Sequence, residues 1–247
     1  MREELGYTKD SFFRRNLTII APAVVFVAFF ITGGLLFDKF FTLRVLLNLL
    51  TNNAFLGMAA VGLTVVIISG GIDLSVGAVI STTAMIIAVL DRSGMSPIVV
   101  VPIALLFATG LGCLMGVMIQ YFDSPPFIVT LAGMFFARGL GYVLSLSSIP
   151  INHEFYHAMS TAGIKFSGGA KLTVPAIIFL FMVAVTWFLL KHTKFGRTCY
   201  ALGGSQQSAF LMGLPVARTK ILIYTFSGFC SGIGGLVYVF YTLSGYG

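Results

Sequence analysis

The stretch Gly70-Gly71-Ile72-Asp73-Leu74-Ser75-Val76-Gly77 governs how this chain is read, because residues 45–90 around it carry no charged side chain other than Asp73. An ionisable group at bilayer depth costs roughly 2.5–3.5 kcal/mol on insertion scales, so it faces a partner, a cavity or a polar path. The glycine pair interrupts a helix, and two readings of Asp73 follow. As a cap, its carboxylate accepts free N–H groups of a helix beginning near Leu74 and is favoured by that helix's positive end. As a functional group, it binds a cation or proton, or lines a solute path. Arg138, in another apolar stretch, is a candidate ion-pair partner. Asn52 and Asn53 either add polar lining or hydrogen-bond between helices.

Beyond this stretch, the 247 residues are 57% hydrophobic and 9% charged, with a mean hydropathy of +0.99; a soluble domain carries roughly 25% charged residues. Apolar runs of about 20 residues recur, the length that crosses a hydrocarbon layer of about 30 Å. The expected fold class is all-α: a polytopic membrane helical bundle with a broken helix near Gly70-Gly71. Charges and Pro/Gly breaks place seven spans, at 17–37, 45–69, 72–90, 97–120, 127–146, 172–190 and 220–242. Arg14-Arg15 before an apolar run resembles a signal peptide, but the run is long for one and lacks a cleavage site, so it reads as an uncleaved first span.

The net charge of +7 does not indicate nucleic acid, because the basic residues lie scattered between apolar runs without a recognition element. They concentrate in the N-terminal segment and after Leu190, which orients the N-terminus to the cytoplasm. On that topology 1–16 and 191–219 are cytoplasmic, 149–171 is an extracytoplasmic loop, and 1–247 is one transmembrane domain. Cys113, Cys199 and Cys230 are too far apart in sequence for a CxxC site and read as packing residues. The GxxxG patterns at Gly112/Gly116 and Gly228/Gly232 read as generic helix packing.

Three enzymatic signatures are incomplete or absent. His153-Glu154-Phe155-Tyr156-His157 matches HExxH, yet a catalytic zinc needs a third ligand, and no Asp or Glu follows Glu154. Gly163 to Gly168 has P-loop glycine spacing without the lysine that reaches phosphates. No Ser/His/Asp elbow motif is present. No metal or cofactor is expected in this chain. The segment after Lys191 is more informative: Ser205 is an N-cap, Gly213 a stop and Pro215 a breaker, framing a short helix from Gln206 to Met212. Its apolar Ala209, Phe210, Leu211 and Met212 suit either a groove on a partner or the lipid interface.

These two sites together resemble the permease subunits of ABC-type sugar importers, the ribose/xylose/galactofuranose branch. The Gly70–Gly77 octapeptide is similar to that family's signature. Phe195-Gly196-Arg197 through Tyr200-Ala201-Leu202-Gly203-Gly204-Ser205, with Ala209 and Met212-Gly213, resembles its cytoplasmic coupling loop, and Lys220, Tyr224, Ser227-Gly228 and Gly232 fit the helix that follows. The wording at 148–153 looks closest to a galactofuranose transporter permease. The resemblance implies a non-catalytic subunit in the bacterial inner membrane that moves a monosaccharide. ATP and Mg would sit on a partner ATPase, beside a second permease, identical or paralogous, a periplasmic sugar-binding protein and membrane lipid. It implies a translocation path or helix-break core at Asn52, Asn53, Gly70, Gly71, Asp73, Ser75, Gly77 and Arg138. It implies ATPase coupling at Gly204, Ser205, Gln206, Ala209, Phe210, Leu211 and Gly213. The alternative is an ion-coupled secondary transporter using Asp73 as its ion or proton site. Phe210 is bulkier than the alanine the family pattern suggests. The sequence stops at Ser244-Gly245-Tyr246-Gly247 where the pattern continues, so C-terminal truncation is expected.

Overall fold

A computed structural model describes residues 10–37 and 40–246; the side chains of 10–15, 18, 19 and 167 are also outside the description. Residues 1–9 of the expected cytoplasmic segment 1–16, and Lys39, therefore lie outside the described residues. The chain forms two compact units, Met1–Leu46 and Leu47–Gly247. In the first, helix α1 (Asp10–Leu36) ends in an aromatic cluster, with the Phe30 ring 5.1 Å from Phe40 and 5.5 Å from Phe41.

The second unit is almost all helix. After α2 (Leu43–Asn52), which starts just before it, come α3 (Ala54–Ile68), α4 (Val76–Arg92), α5 (Pro97–Tyr121) and α6 (Pro126–Leu144). A small cap of β1 (Ile149–Pro150), α7 (Glu154–Thr161), β2 (Gly163–Lys165) and β3 (Lys171–Thr173) follows. Then come α8 (Val174–His192), α9 (Lys194–Gly204), α10 (Gln206–Leu211), α11 (Val216–Thr242) and β4 (Ser244–Gly245). Prolines at the first turns of α5, α6 and α8 suit positions whose N–H has no helical acceptor. Strand β2 pairs antiparallel with β3, and β1 with β4, matching Ile149 to Gly245.

Helix α11 is the centre of the unit, packing on α3, α4 and α5. Here the two GxxxG patterns pack against each other, the close helix approach expected of them. A Cβ at Gly228 would lie 2.5 Å from the Ala108 carbonyl, and one at Gly116 would lie 2.9 Å from the Ile221 Cα. Gly112 faces the Tyr224 carbonyl and the Gly228 Cα. The glycines let the α5 and α11 backbones touch, which maximises dispersion where no water drives association.

Among the described residues, four helices are long and apolar enough to cross a membrane: α5, α6, α8 and α11. A fifth crossing arises if α2 and α3, bent by 60° at Asn53, count as one. The expected count of seven is not confirmed by these four or five. The break after α3 keeps residues 69–75 out of any helix and leaves α4 with 17 residues, about 25 Å at 1.5 Å per residue, below the roughly 30 Å of a hydrocarbon core.

Candidate functional site

Helix α3 stops for a local reason. Gly70 has φ +78°, its N–H donates to the Ile67 carbonyl at 2.9 Å, and the Gly71 N–H reaches back to the Val66 carbonyl at 2.9 Å. This pair of bonds is a Schellman stop, which needs a left-handed residue that glycine adopts without steric cost. Gly71 is required for space instead: a Cβ there would sit 2.6 Å from the Tyr224 hydroxyl. The backbone then runs without helix or strand to Ser75, and α4 begins at Val76.

Asp73 lies in that non-helical segment, two residues before the N-cap Ser75, and is 7% exposed. It is therefore not the cap of α4. Its Oδ1 accepts from the Ser75 N–H at 2.9 Å and from the Ser75 hydroxyl at 2.6 Å, forming an Asx turn. Its Oδ2 accepts from the Ser227 hydroxyl of α11 at 2.7 Å. Ser75 and Ser227 are buried as well. Both oxygens are thus committed to protein donors, and the carboxylate ties the broken segment to the central helix. That occupancy disfavours Asp73 as an ion or proton site.

The two stretches that the sequence singles out meet in space. Gly203, in the last turn of α9, lies directly against the Ile68 carbonyl that ends α3, leaving no room for a Cβ, and its Cα is 3.7 Å from where a Cβ on Gly70 would be. Cys199 and Leu202 of α9, Ala209 of α10, Val65 and Val66 of α3 and Tyr224 of α11 share one buried cluster. Burial pushes the Cys199 thiol up to about 12, so it stays protonated and acts as a packing group. Residues 194–204, read from sequence as part of a coupling loop, are helical.

Beyond α9, Ser205 caps α10 by accepting from the Ser208 N–H at 3.2 Å. Gly213, with φ +73°, ends it by donating to the Phe210 carbonyl, while the Leu214 N–H reaches the Ala209 carbonyl. Ala209 is fully buried, whereas Phe210, Leu211 and Met212 are 70%, 78% and 66% exposed. Gly204 and Gln206 are exposed beside them. Three consecutive outward apolar side chains form a patch on the segment that follows the basic Lys194 and Arg197 of α9.

Other expected site residues lie elsewhere. Asn52 and Asn53 are exposed at the opposite end of α3, where the Asn53 amide donates to the Leu49 carbonyl at 2.9 Å and marks the bend. Gly77 and Arg138 line a cavity of about 300 Å³ between α3, α4, α6 and α11, and Arg138 gives Asp73 no hydrogen bond. In the HExxH stretch, His153 is the N-cap of α7, its Nδ1 accepting from the Phe155 N–H at 3.1 Å, and the His157 Nε2 lies 3.1 Å from the Ile151 carbonyl. The two imidazoles serve the backbone, and no cluster of three metal-ligating side chains forms among the described residues. Between them Tyr156 is fully buried. Burial, with the Asp91 carboxylate as a second cause, pushes its hydroxyl up to about 12.

Sequence reasoning missed Gly203 and Ser227 as members of the site. The signal for Gly203 was present in the Gly203-Gly204-Ser205 run, since a glycine in a last helical turn often marks close backbone approach. Ser227 was noted only as part of the helix pattern at Ser227-Gly228, and nothing local to it pointed to Asp73.

A family model for the branched-chain amino acid transport system permease component matches residues 45–246. The chain belongs to this permease family. The inner membrane ABC transporter permease protein YjfF of Escherichia coli K12 is 43% identical over 94% of this chain and 71% of its own length. The fructose import permease protein FruG of Bifidobacterium longum is 38% identical over 91% of this chain and 68% of its own. The ribose import permease protein RbsC of Bacillus subtilis is 34% identical over 78% of this chain and 59% of its own. No solved structure matches the chain. The break at Gly70-Gly71, the Asp73 stitch and the α9–α10 segment all fall within the matched residues of the permease family.

Proposed function

We propose that this chain is the transmembrane subunit of an ATP-driven importer that carries a monosaccharide across the inner membrane, with no chemistry of its own. Hydrolysis then belongs to a partner ATPase, and delivery to a sugar-binding protein. The relatives named for fructose and ribose import support the cargo class. The wording at 148–153 favours galactofuranose within it.

The observation that carries the mechanism is the seat of α9 on the end of α3. The apolar patch of Phe210 and Leu211, framed by Gly204, Ser205, Gln206, Ala209 and Gly213, is the surface an ATPase grips. A shift of α10 moves α9, and Gly203 presses on the Ile68 carbonyl without a side chain to cushion it. The displaced break is carried to α11 through Asp73 and Ser227. Nucleotide drives this as a population shift, in proportion to its differential affinity for the two arrangements. On this reading 191–219 and the N-terminal segment face the cytoplasm, and 149–171 faces the binding protein. A second permease, identical or paralogous, completes the path.

A photo-crosslinker at Leu211 in native membranes tests the reading. The expected product is an adduct with a soluble ATPase, formed more strongly in one nucleotide state. Adducts with lipid alone, in every nucleotide state, would count against it.

A further inference from the structure

The cavity of about 300 Å³ is walled by Gly77, Ser81 and Thr82 of α4, Arg138 of α6, Phe55 of α3 and Tyr238 of α11. At about 30 Å³ per water it holds roughly ten waters, the scale of one sugar ring. Its chemistry is uneven. Phe55 and Tyr238 meet edge to face at 5.2 Å, a platform for the C–H face of a sugar. The Thr82 hydroxyl, within 2.7 Å of the Ala137 carbonyl, and the Ser81 hydroxyl, 2.7 Å from the Tyr246 carbonyl, spend their protons on the backbone and keep lone pairs for a ligand hydroxyl. Arg138 is exposed to this space and brings five donors. Among the described residues no carboxylate lines the cavity, so a cation, or the ammonium group of an amino acid, finds no counter-charge from them. Gly77 leaves the wall open, since a Cβ at that position would meet nothing within 4 Å.

We propose that Arg138, Tyr238 and Phe55 form a monosaccharide subsite within this chain, so that the permease itself discriminates its cargo after delivery. The aromatic pair holds the ring, Arg138 donates to its oxygens, and amino acids are turned away for want of an acceptor for their ammonium group. This rests on the importer reading and adds to it a specificity carried by the membrane subunit, against the amino-acid cargo in the family's description.

The test is equilibrium binding of labelled D-ribose, D-fructose and L-leucine to the purified chain in nanodiscs, without any binding protein. The wild type is expected to bind a sugar in the millimolar range and leucine at least tenfold more weakly. Arg138→Gln and Tyr238→Ala are expected to weaken the sugar at least tenfold. Gly77→Leu, which fills open space, is expected to abolish binding while the melting temperature is kept. Leucine bound as tightly as sugar, no sugar bound by the wild type, or sugar binding that survives all three substitutions would overturn the subsite. ATP-driven sugar uptake by vesicles containing the whole assembly separates the two readings. Uptake that persists while the binding test fails removes only the subsite, and absence of uptake for every sugar removes the importer.

Discussion

Asp73 and Arg138 are both charged residues in apolar surroundings, and the fold uses them in opposite ways. Asp73 is 7% exposed, with both oxygens held by Ser75 and Ser227. Arg138 is exposed at the wall of an open cavity, with no carboxylate among the described lining residues. A charge at membrane depth is therefore not a functional site by virtue of its position. What separates the two is whether the protein has already spent the group's hydrogen-bonding capacity. A satisfied carboxylate fixes geometry, and an unspent guanidinium is available to a ligand.

The most severe challenge to this contrast is to remove the satisfied charge. Asp73→Leu leaves the Ser75 N–H and the Ser227 hydroxyl buried without an acceptor, each costing about 1–3 kcal/mol, and forfeits three hydrogen bonds. A loss of about 3 kcal/mol or more in stability is expected, visible as a large drop in melting temperature and in folded protein recovered from membranes. Normal stability in this variant would mean that the stitch holds nothing together.

Gly203→Ala probes the same region from the other side. Its methyl group would enter the space of the Ile68 carbonyl, and such overpacking costs typically about 1–3 kcal/mol. Because the contact joins α9 to the α3 break, ATP-driven uptake should fall by more than the lost stability explains, with ATP hydrolysis continuing. Parallel losses of uptake and of folded protein would reduce Gly203 to a packing residue.

Asp73→Asn separates charge from geometry, with a smaller effect. The amide oxygen can still accept from Ser75, and the amide nitrogen can donate to the Ser227 hydroxyl, so only charge assistance is lost, about 1–2 kcal/mol. Uptake should survive in reduced amount, measured as initial rate per folded subunit. Abolished uptake in a stable Asp73→Asn variant would restore the ion-coupled reading.

Much of this was legible in the sequence, and the remainder was not for identifiable reasons. Helices α5, α6, α8 and α11 follow from long apolar runs that begin near prolines or end near charges, and α10 from Ser205, Gly213 and Pro215, because these signals act within one turn. The stop at Gly70-Gly71 was visible for the same reason. The role of Asp73 was not, since its partner Ser227 lies 154 residues away, and a serine inside an apolar helix looks the same whether it meets a carboxylate or a backbone carbonyl. The pairing of Gly112 with Gly228 is equally non-local. The seven-span count is not confirmed, because hydropathy registers apolar residues and not the bend at Asn53 or the helix break at 69–75 that divide the runs around α3 and α4. The HExxH stretch was discounted from sequence for want of a third ligand, and the structure adds that His153 stands at the cap of α7 and not within it.

The smallest effect on stability, and the most telling for the contrast, is expected at Arg138. Its side chain packs against no carboxylate and lines open space, so Arg138→Gln should change the unfolding free energy by no more than about 0.5 kcal/mol, as for a surface substitution. Any change in sugar handling then cannot be assigned to a weakened fold. If Arg138 contributes charge-assisted hydrogen bonds, about 1.5–3 kcal/mol, the concentration of sugar giving half-maximal uptake should rise by roughly tenfold or more, since about 1.4 kcal/mol is a factor of ten. The maximal rate should change less, because the coupling contact at Gly203 is untouched. A melting temperature that falls as far as in Asp73→Leu would show that Arg138 is also a structural charge, and the distinction between the two residues would collapse.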